Sequence, residues 1–490
     1  MSSKEYLKAE RSAPWREEIR KSIKNKDRIN KTRVVMNSVD PKVRCQNYDE
    51  VNLGLTEEQA VAEAQRCIDC VTPTCIEGCP VEINIPKFIK NIERGEFLEA
   101  AKTLKETSAL PAVCGRVCPQ ERQCESTCFY VQKLNKPAVA IGHLERFAAD
   151  YERESGNIAI PEIADSNGIK VAVIGSGPAG LSFAGDMVKK GFDVTVFEAL
   201  HDLGGVLRYG IPEFRLPNNI VDVEIDVLAQ MGVKFMTNCI IGKTISHDDL
   251  HEMGFKGIFV ASGAGLPHFM HIPGENLNGV MSCNEYLTRI NLMDAANPES
   301  DTPVLMGKKV AVIGGGNTAM DAVRTALRLG AEKAMIVYRR SEEEMPARLE
   351  EVHHAKEEGI KFYNLHNPLK YEGDENFRVN RMLLQRMELG EPDASGRRRP
   401  IPIEGDTVWV DVDQVIVSVG VSPNPLIPST FKGLEVTDWG TIVVNNDTMQ
   451  SAQTDIYAGG DIVRGGATVI LAMGDGRKAA KNMSEALLAN

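Results

Sequence analysis

Nowhere in its 490 residues does this chain carry an unbroken apolar run of the roughly 18–20 residues that a bilayer-crossing helix needs. The opening Met1-Ser2-Ser3-Lys4-Glu5 has no apolar core of the signal-peptide kind. From these two lacks no membrane association is expected, and the location is read as cytoplasmic. Aromatic residues are few, 6% with three tryptophans, and no basic stretch is interleaved with them, so nothing points to nucleic acid. Cysteine is nearly missing from most of the chain: only Cys45, Cys239 and Cys283 lie outside residues 67–128. Those three read as ordinary buried or surface cysteines.

What is present is the composition of a globular protein, with 43% hydrophobic and 25% charged residues. The length is too great for one ordinary core and suggests about three domains. The net charge of −12 is unevenly spread, because residues 1–45 carry +7 and the remainder −19. Such a basic arm can dock an acidic partner; its plainer reading is a solvated amphipathic helix at a chain end. Residues 1–65 read as charged and mostly helical, with Thr56 and Gln59 spaced as a capping box. The apolar spacing of Phe88, Ile89, Ile92, Phe97, Leu98 and Ala101 predicts short helices between Ile85 and Leu104. Residues 152–168 read as a linker, and residues 370–410, including Arg397-Arg398-Arg399-Pro400, as a polar excursion before Val415-Ile416-Val417 resumes a buried strand.

The other eight of the eleven cysteines form two groups, Cys67-x2-Cys70-x4-Cys75-x3-Cys79-Pro80 and Cys114-x3-Cys118-x5-Cys124-x3-Cys128. Without an export signal, thiols at this density point to metal rather than disulfides. Proline directly after Cys79 and Cys118 resembles ferredoxin-type ligation of [4Fe–4S] clusters. Four-cysteine zinc sites use similarly short spacings and stand as the alternative. His353-His354 sits in a charged helix and lacks further ligands.

From Lys170 the texture changes. Val171-Ala172-Val173-Ile174 runs into Gly175-Ser176-Gly177-Pro178-Ala179-Gly180 and then an apolar helical pattern. In such a turn the first glycine allows the bend, the second lets backbone approach a pyrophosphate, and the third permits close helix–strand packing. The next strand ends at Glu198, placed to accept hydrogen bonds from ribose hydroxyls. A second unit starts at Lys309, with Val310-Ala311-Val312-Ile313, and leads into Gly314-Gly315-Gly316-Asn317-Thr318-Ala319. Its following strand ends in Arg339-Arg340-Ser341, where guanidiniums and a hydroxyl suit a 2′-phosphate and favour NADPH over NADH. The segments around Gly204, Gly205, Leu207 and Arg208, and around Gly460 and Asp461, resemble the FAD segments of two-dinucleotide-domain flavoproteins. Ala467-Thr468 opens a helix whose N-terminus would face the flavin pyrimidine ring. FAD is therefore assigned to the first unit.

The expected fold class is α/β, with a helical N-terminal iron–sulfur domain followed by two Rossmann-like dinucleotide-binding domains, the second inserted in the first. Boundaries are placed at residues 1–165 for the cluster domain, 166–300 with 415–490 for FAD, and 301–414 for NADPH.

Taken together, the two cysteine groups, the run Leu110 to Pro119, Gly314 through Asp321, and Gly466 through Lys478 resemble the small (β) subunit family of NADPH-dependent glutamate synthase. The family that it resembles also includes the large subunit of the NAD-dependent ferredoxin:NADP oxidoreductase, an electron-bifurcating transhydrogenase, and the N-terminal half of dihydropyrimidine dehydrogenase shares the plan. The resemblance covers residues 50–490 and leaves the first fifty unexplained. It implies two [4Fe–4S] clusters with interleaved ligands: Cys67, Cys70, Cys75 and Cys128 for one, and Cys79, Cys118 and Cys124 for the other. It further implies that Glu145 completes the second set and that Cys114 is a bystander, whereas spacing alone would divide eight cysteines into two sets of four.

The cofactors set the expected chemistry: NADPH gives hydride to FAD and electrons leave through the clusters. No catalytic side chain is assigned. A glutamate synthase role would need a partner chain bearing FMN and a glutaminase, and this chain would be the electron-input subunit. The transhydrogenase role would need a small flavoprotein subunit and ferredoxin. An oligomer is expected in either case. A zinc-stabilised nucleotide-binding scaffold is the non-enzymatic alternative.

Overall fold

The computed structural model describes residues 3–394 and 396–489, so the expected start of the helical domain at residues 1 and 2 lies outside the described residues. Two parallel five-stranded sheets dominate it. The first runs, in spatial order, Ile456–Ala458, Phe255–Val260, Lys170–Ile174, Asp193–Phe197 and Lys234–Met236. The second runs Val280–Ser282, Gln414–Val417, Lys309–Ile313, Lys333–Tyr338 and Lys361–Asn364.

Both sheets are buried on both faces, which explains why their strands read as continuous apolar runs rather than alternations. In the first, Val171 and Val173 pack with helices Pro178–Lys189 and Val469–Leu488, while Ala172 and Ile174 face a second core with Phe255 and Ile442. In the second, Val310, Val312 and Ile336 face the helix Asn317–Arg328. Ala311, Ile313 and Val415 instead pack on a three-stranded antiparallel sheet made of His366–Gly373, Val379–Pro392 and Arg398–Asp411. The polar excursion expected at residues 370–410 is therefore a long two-sided hairpin that also covers a core.

The chain leaves the first sheet after Phe255–Val260 and returns to it at Ile456–Ala458. The outgoing and returning linkers pair with each other, Leu266–Pro267 against Val421–Ser422. This moves the expected boundaries. Val280–Ser282 pairs with Val415–Val417 inside the second sheet, so the crossings lie near residues 266 and 421, not 300 and 415. A three-residue strand carries too little pattern to be read from sequence, and Val415–Val417 suits either sheet equally well.

The N-terminal part is helical. Helices Ile85–Glu93, Phe97–Lys105, Pro111–Val117 and Ile141–Ser155 share a core with the first sheet's helices. Phe97, Phe147 and Tyr151 meet edge to face or tilted. The Thr56–Gln59 capping box forms as expected. Helix Ile141–Ser155 runs into the segment expected as linker, and only its remainder lacks regular structure up to Lys170. The basic arm is helical but only partly solvated: Lys8, Lys21, Lys24, Lys26 and Lys42 are exposed, while three of its arginines are not. Arg16, Arg28 and Arg44 are buried, and each is paired with a carboxylate far along the chain: Asp69, Glu93 and Glu358 respectively.

Candidate functional site

Two thiol constellations lie in the helical part. Cys67, Cys70, Cys75 and Cys128 line one cavity, walled by Ile85, Ile89, Val139 and Ile141. Burial pushes the Cys70 thiol up to about 12, with the charges of Cys67 and Cys128 adding to it. Burial likewise drives Cys75 well up, followed by Cys67, Cys128 and Cys70. Four thiols that each raise the others' cost of ionisation, in an apolar shell, need a cation to become thiolates. The loop between Cys67 and Cys70 is gripped from the N-terminal arm. Asp69, in the left-handed region at φ 51°, accepts Arg16 Nη2 at 2.5 Å and Arg20 Nη1 at 2.7 Å.

Cys128 joins this group across a long stretch of chain because two loop tips are stitched together. Thr74 Oγ1 donates to the Thr127 carbonyl at 2.5 Å, and Thr127 Oγ1 donates to the Thr74 carbonyl at 3.0 Å.

The second constellation gathers Cys79, Cys118, Cys124 and Glu145. Burial pushes Cys79 up to about 12, and the charges of Glu145 and Cys118 add to it. Cys124 is raised by burial and then by Glu125, Cys79, Glu145 and Cys118. Glu145 is reached because Gly115 lets two helices touch: a Cβ there would stand 2.5 Å from the Arg146 nitrogen. Its carboxyl is buried and pushed up to about 8 by that burial, with Glu224 adding. Oε1 of Glu145 has no hydrogen-bond partner among the described residues. A buried carboxylate oxygen left bare among three thiols suits a metal-bound group. Cys114 also touches Cys118, but its sulfur lies against Met473.

The first glycine turn sits at the carboxyl end of its sheet, where open α/β sheets bind ligands. Gly175 has φ 103°, and a Cβ there would meet the Ala261 carbonyl at 2.5 Å. A Cβ on Gly180 would stand 2.0 Å from the Gly175 oxygen, whereas one on Gly177 would meet nothing. Pro178 and Ala179 open the following helix, with Ala179 close against Gly460. Glu198 turns its carboxylate into this turn, accepting Ser176 N at 2.9 Å and Ser176 Oγ at 2.6 Å.

Two further segments close over the same turn. Gly205, at φ 55°, approaches Gly177, and Gly204 N donates to Ser176 Oγ at 3.0 Å. Leu207 is buried and Arg208 is held by Asp202 and Asp222. From the other side, Gly460 at φ 77° donates its N–H to Asp475 at 3.0 Å. Burial raises Asp461 to about 6, against a backbone hydrogen bond from Ala467. Thr468 caps the helix Val469–Leu488, which crosses close enough to the first helix that a Cβ on Gly476 would meet the Ala179 carbonyl at 2.3 Å. All the residues read from sequence for this site are thus gathered at one sheet edge.

In the second turn, a Cβ on Gly314 would meet the Ser418 carbonyl at 2.3 Å and one on Gly315 the Tyr338 ring at 2.7 Å. A Cβ on Gly316 would touch only the Pro346 ring, at 4.0 Å, and Gly316 N-caps the helix Asn317–Arg328. Asn317 Oδ1 accepts the Arg348 N–H at 2.8 Å, the Thr318 carbonyl accepts the Cys283 thiol at 3.3 Å, and Ala319 is buried. The three residues read as a 2′-phosphate site are not equivalent. Arg339 is exposed. Arg340 is buried and donates to the Arg398 carbonyl at 2.8 Å and Asp393 at 2.6 Å, while Ser341 donates to Glu344. Beside Arg339 stands Arg397 from the hairpin, whose charge, with that of Arg340, adds to burial in lowering the Arg339 pKa. Sequence reading placed Arg397 in a polar excursion; its basic run was the only available signal.

The helical part and the first sheet meet through these same residues. Gln123 Nε2 donates to Thr468 Oγ1 at 3.3 Å, and a Cβ on Gly474 would stand 2.9 Å from the Pro80 carbonyl.

Residues 44–157 match a family model described as dihydropyrimidine dehydrogenase domain II, 4Fe-4S cluster, and residues 169–476 match pyridine nucleotide-disulphide oxidoreductase. The chain is 36% identical to the glutamate synthase [NADPH] small chain of Azospirillum brasilense, over 90% of this chain and 92% of that one. It is 36% identical to the same protein of Escherichia coli K12, over 90% and 95%. Against the NADPH-Fe(3+) oxidoreductase subunit beta of Geobacter sulfurreducens it is 37% identical, over 86% and 64%. Among solved structures, FprA of Mycobacterium tuberculosis in complex with NADPH shares the fold at TM-score 0.56 and 20% identity, covering 66% of this chain and 85% of that one.

Proposed function

This chain belongs to the family of the small chains of NADPH glutamate synthase, and we propose that it is the electron-input flavoprotein for glutamate formation on a partner chain. The observation that carries the reading is the direct contact between the second thiol constellation and the last helix, through Gln123–Thr468 and Pro80–Gly474. That helix begins where the flavin ring is expected, so the same element would join the flavin site to the residues that hold the second thiol constellation.

The residues divide the work as follows. Gly175, Gly177, Gly180, Gly204 and Gly205 would let backbone reach the FAD pyrophosphate, with Glu198 on the ribose and Asp461 and Thr468 toward the ring end. Gly314, Gly316 and Ala319 would hold the NADPH pyrophosphate, and Arg339 the 2′-phosphate. Cys67, Cys70, Cys75 and Cys128 would ligate one [4Fe–4S] cluster; Cys79, Cys118, Cys124 and Glu145 would ligate the other. When bound, FAD accepts a hydride from NADPH and the clusters carry electrons singly. The protein's own part is to hold nicotinamide against flavin, exclude water with the buried shell of Ile85, Ile89 and Val139, and present the thiols, which only a bound cation would keep ionised. The partner in this reading is a second flavoprotein chain bearing FMN and a glutaminase, and the location is cytoplasmic. No described helix is long and apolar enough to cross a membrane.

The test is anaerobic purification with the native partner, iron, sulfide and flavin analysis, and addition of NADPH. Flavin bands, about eight irons per chain and rapid bleaching by NADPH, with an FMN-bearing glutaminase chain co-purifying, are expected. A small [2Fe–2S] flavoprotein partner would move the chain to transhydrogenation. A colourless zinc protein would overturn the redox reading.

A further inference from the structure

Away from both nucleotide sites, His247, His251 and Asp455 bring three ligand atoms to one point. His247 and His251 stand four residues apart on the helix His247–Glu252, hence on one face of it. A capping box at Ser246 and Asp249 fixes that helix's start. Asp455 lies in the turn just before strand Ile456–Ala458, and its carbonyl accepts Ile258 N at 2.9 Å. The cluster therefore joins a surface helix to the entry of two neighbouring strands of the first sheet. This is the edge opposite the carboxyl ends that carry the glycine turns. The His247 ring is held by stacking on Phe431, centroids 4.7 Å apart at 27°.

The geometry does not suit hydrogen bonding. Nε2 of His251 lies 3.1 Å from Nε2 of His247 and 3.1 Å from Oδ2 of Asp455, and Nε2 of His247 lies 3.4 Å from the same oxygen. A neutral imidazole Nε2 either donates or accepts, and a carboxylate only accepts. If both rings donate to Asp455, two N–H groups face each other. If one ring accepts, its lone pair faces the carboxylate oxygen. With Asp455 ionised, every proton assignment leaves one repulsive edge. A cation at the centre turns all three lone pairs into attractions. Ligands about 2.0–2.1 Å from a tetrahedral zinc ion stand about 3.3 Å from one another, and the observed edges bracket that value. With two imidazoles and one carboxylate, the donor set suits zinc, with the fourth position open to water.

We propose that His247, His251 and Asp455 bind one divalent ion of the zinc class, which clips the helix His247–Glu252 to the entry of strand Ile456–Ala458. The side chains keep 20%, 43% and 25% of their surface exposed, so an ion can enter from solvent. The site is structural in character, since it faces away from the nucleotide ends of the sheet.

The test uses the cluster- and flavin-loaded chain, washed with chelator and dialysed anaerobically against micromolar zinc chloride. Zinc, iron and flavin are then counted per chain. One zinc per wild-type chain with iron unchanged is expected, along with a higher melting temperature in zinc than without it. His251→Gln and Asp455→Asn, each separately, should take up no zinc and show no thermal gain, while retaining iron, flavin and NADPH oxidation. Equal zinc uptake by wild type and both variants, or none by wild type, overturns the proposal. Iron and flavin content show that each variant is folded, so its loss of zinc reports on the site alone.

Discussion

The thiol of Cys114 lies 3.4 Å from the thioether sulfur of Met473, across the junction between the helical part and the last helix. That contact gives the Cys114 sulfur a packing partner, although the thiol also reaches Cys118. Oε1 of Glu145, by contrast, is buried and bare beside Cys79 and Cys124, and we propose it rather than Cys114 as the ligand. We expect Cys114→Ala to keep its full complement of about eight irons and to lose about 1–2 kcal/mol of stability through the vacated contact. Glu145→Ala should lose the second cluster or alter it, and Glu145→Cys should restore the iron with a changed potential, because ligand identity tunes it. Iron analysis and electron paramagnetic resonance of the reduced proteins check this. Iron loss in Cys114→Ala with none in Glu145→Ala would assign the ligand to Cys114 instead.

The two outer glycines of the first turn predict different failures from the middle one. A methyl on Gly180 would press on the Gly175 oxygen at 2.0 Å, and backbone cannot yield there cheaply. Gly180→Ala should therefore cost about 1–3 kcal/mol or more and lower the melting temperature even without flavin. Gly177→Ala places its methyl in open space, so the apoprotein should melt as wild type does. It should nonetheless purify with little FAD, because the methyl stands where the pyrophosphate has to approach. Calorimetry and flavin content measured side by side separate the two.

Arg339 and Arg340 are adjacent in sequence but should behave oppositely. The Arg339 side chain is exposed and feels the charge of Arg397, so it can meet a phosphate, while Arg340 is spent on Asp393 and the Arg398 carbonyl. Removing one charged hydrogen bond of about 1.5–3 kcal/mol makes Arg339→Ala raise KM for NADPH roughly 10- to 100-fold, with kcat and the NADH parameters little changed. Arg397→Ala should act in the same direction more weakly. Arg340→Ala should chiefly lower stability, by detaching the hairpin from the strand end. Steady-state kinetics with both nucleotides, using ferricyanide as acceptor, are the check.

Much of this site was legible because its chemistry lives in local backbone. Each glycine turn announces a strand, a bend and a helix start within about fifteen residues, and Thr56–Gln59 does the same for a cap. The assignment of Cys128 to the first thiol group was not legible from spacing, because the Thr74–Thr127 stitch that brings it there is tertiary. The basic arm misled for a related reason. Its arginines look solvated until Asp69, Glu93 and Glu358, tens to hundreds of residues away, are seen to bury them. Arg340 could not be told from Arg339 in sequence, since only the hairpin's return at Asp393 and Arg398 separates them.

A buried ionic knot joins the three parts of the chain, and Arg324 is its centre. Its guanidinium is fully buried, paired with Glu351 and, at 2.8 Å, with Glu358, over the face of Phe214. Glu358 also receives Arg328 at 3.0 Å and Arg44 of the N-terminal arm at 3.0 Å. Arg215 of the first sheet's domain reaches Glu351 at 3.4 Å and Asp321 at 2.8 Å. Burial alone would raise both glutamates, yet the surrounding arginines outweigh it and hold Glu351 and Glu358 at about 2. Each is thus fully ionised at neutral pH and cannot escape by protonation if its partner is removed. Arg324→Met should therefore cost about 3–5 kcal/mol, less whatever Arg328, Arg44 and Arg215 recover, and lower the melting temperature by several degrees at a fixed scan rate. Because these charges are shielded from solvent, raising the salt from 0.05 to 0.5 M should not narrow the gap, as it would for a surface pair. A gap that closes with salt would show the knot to be open to water and merely cosmetic.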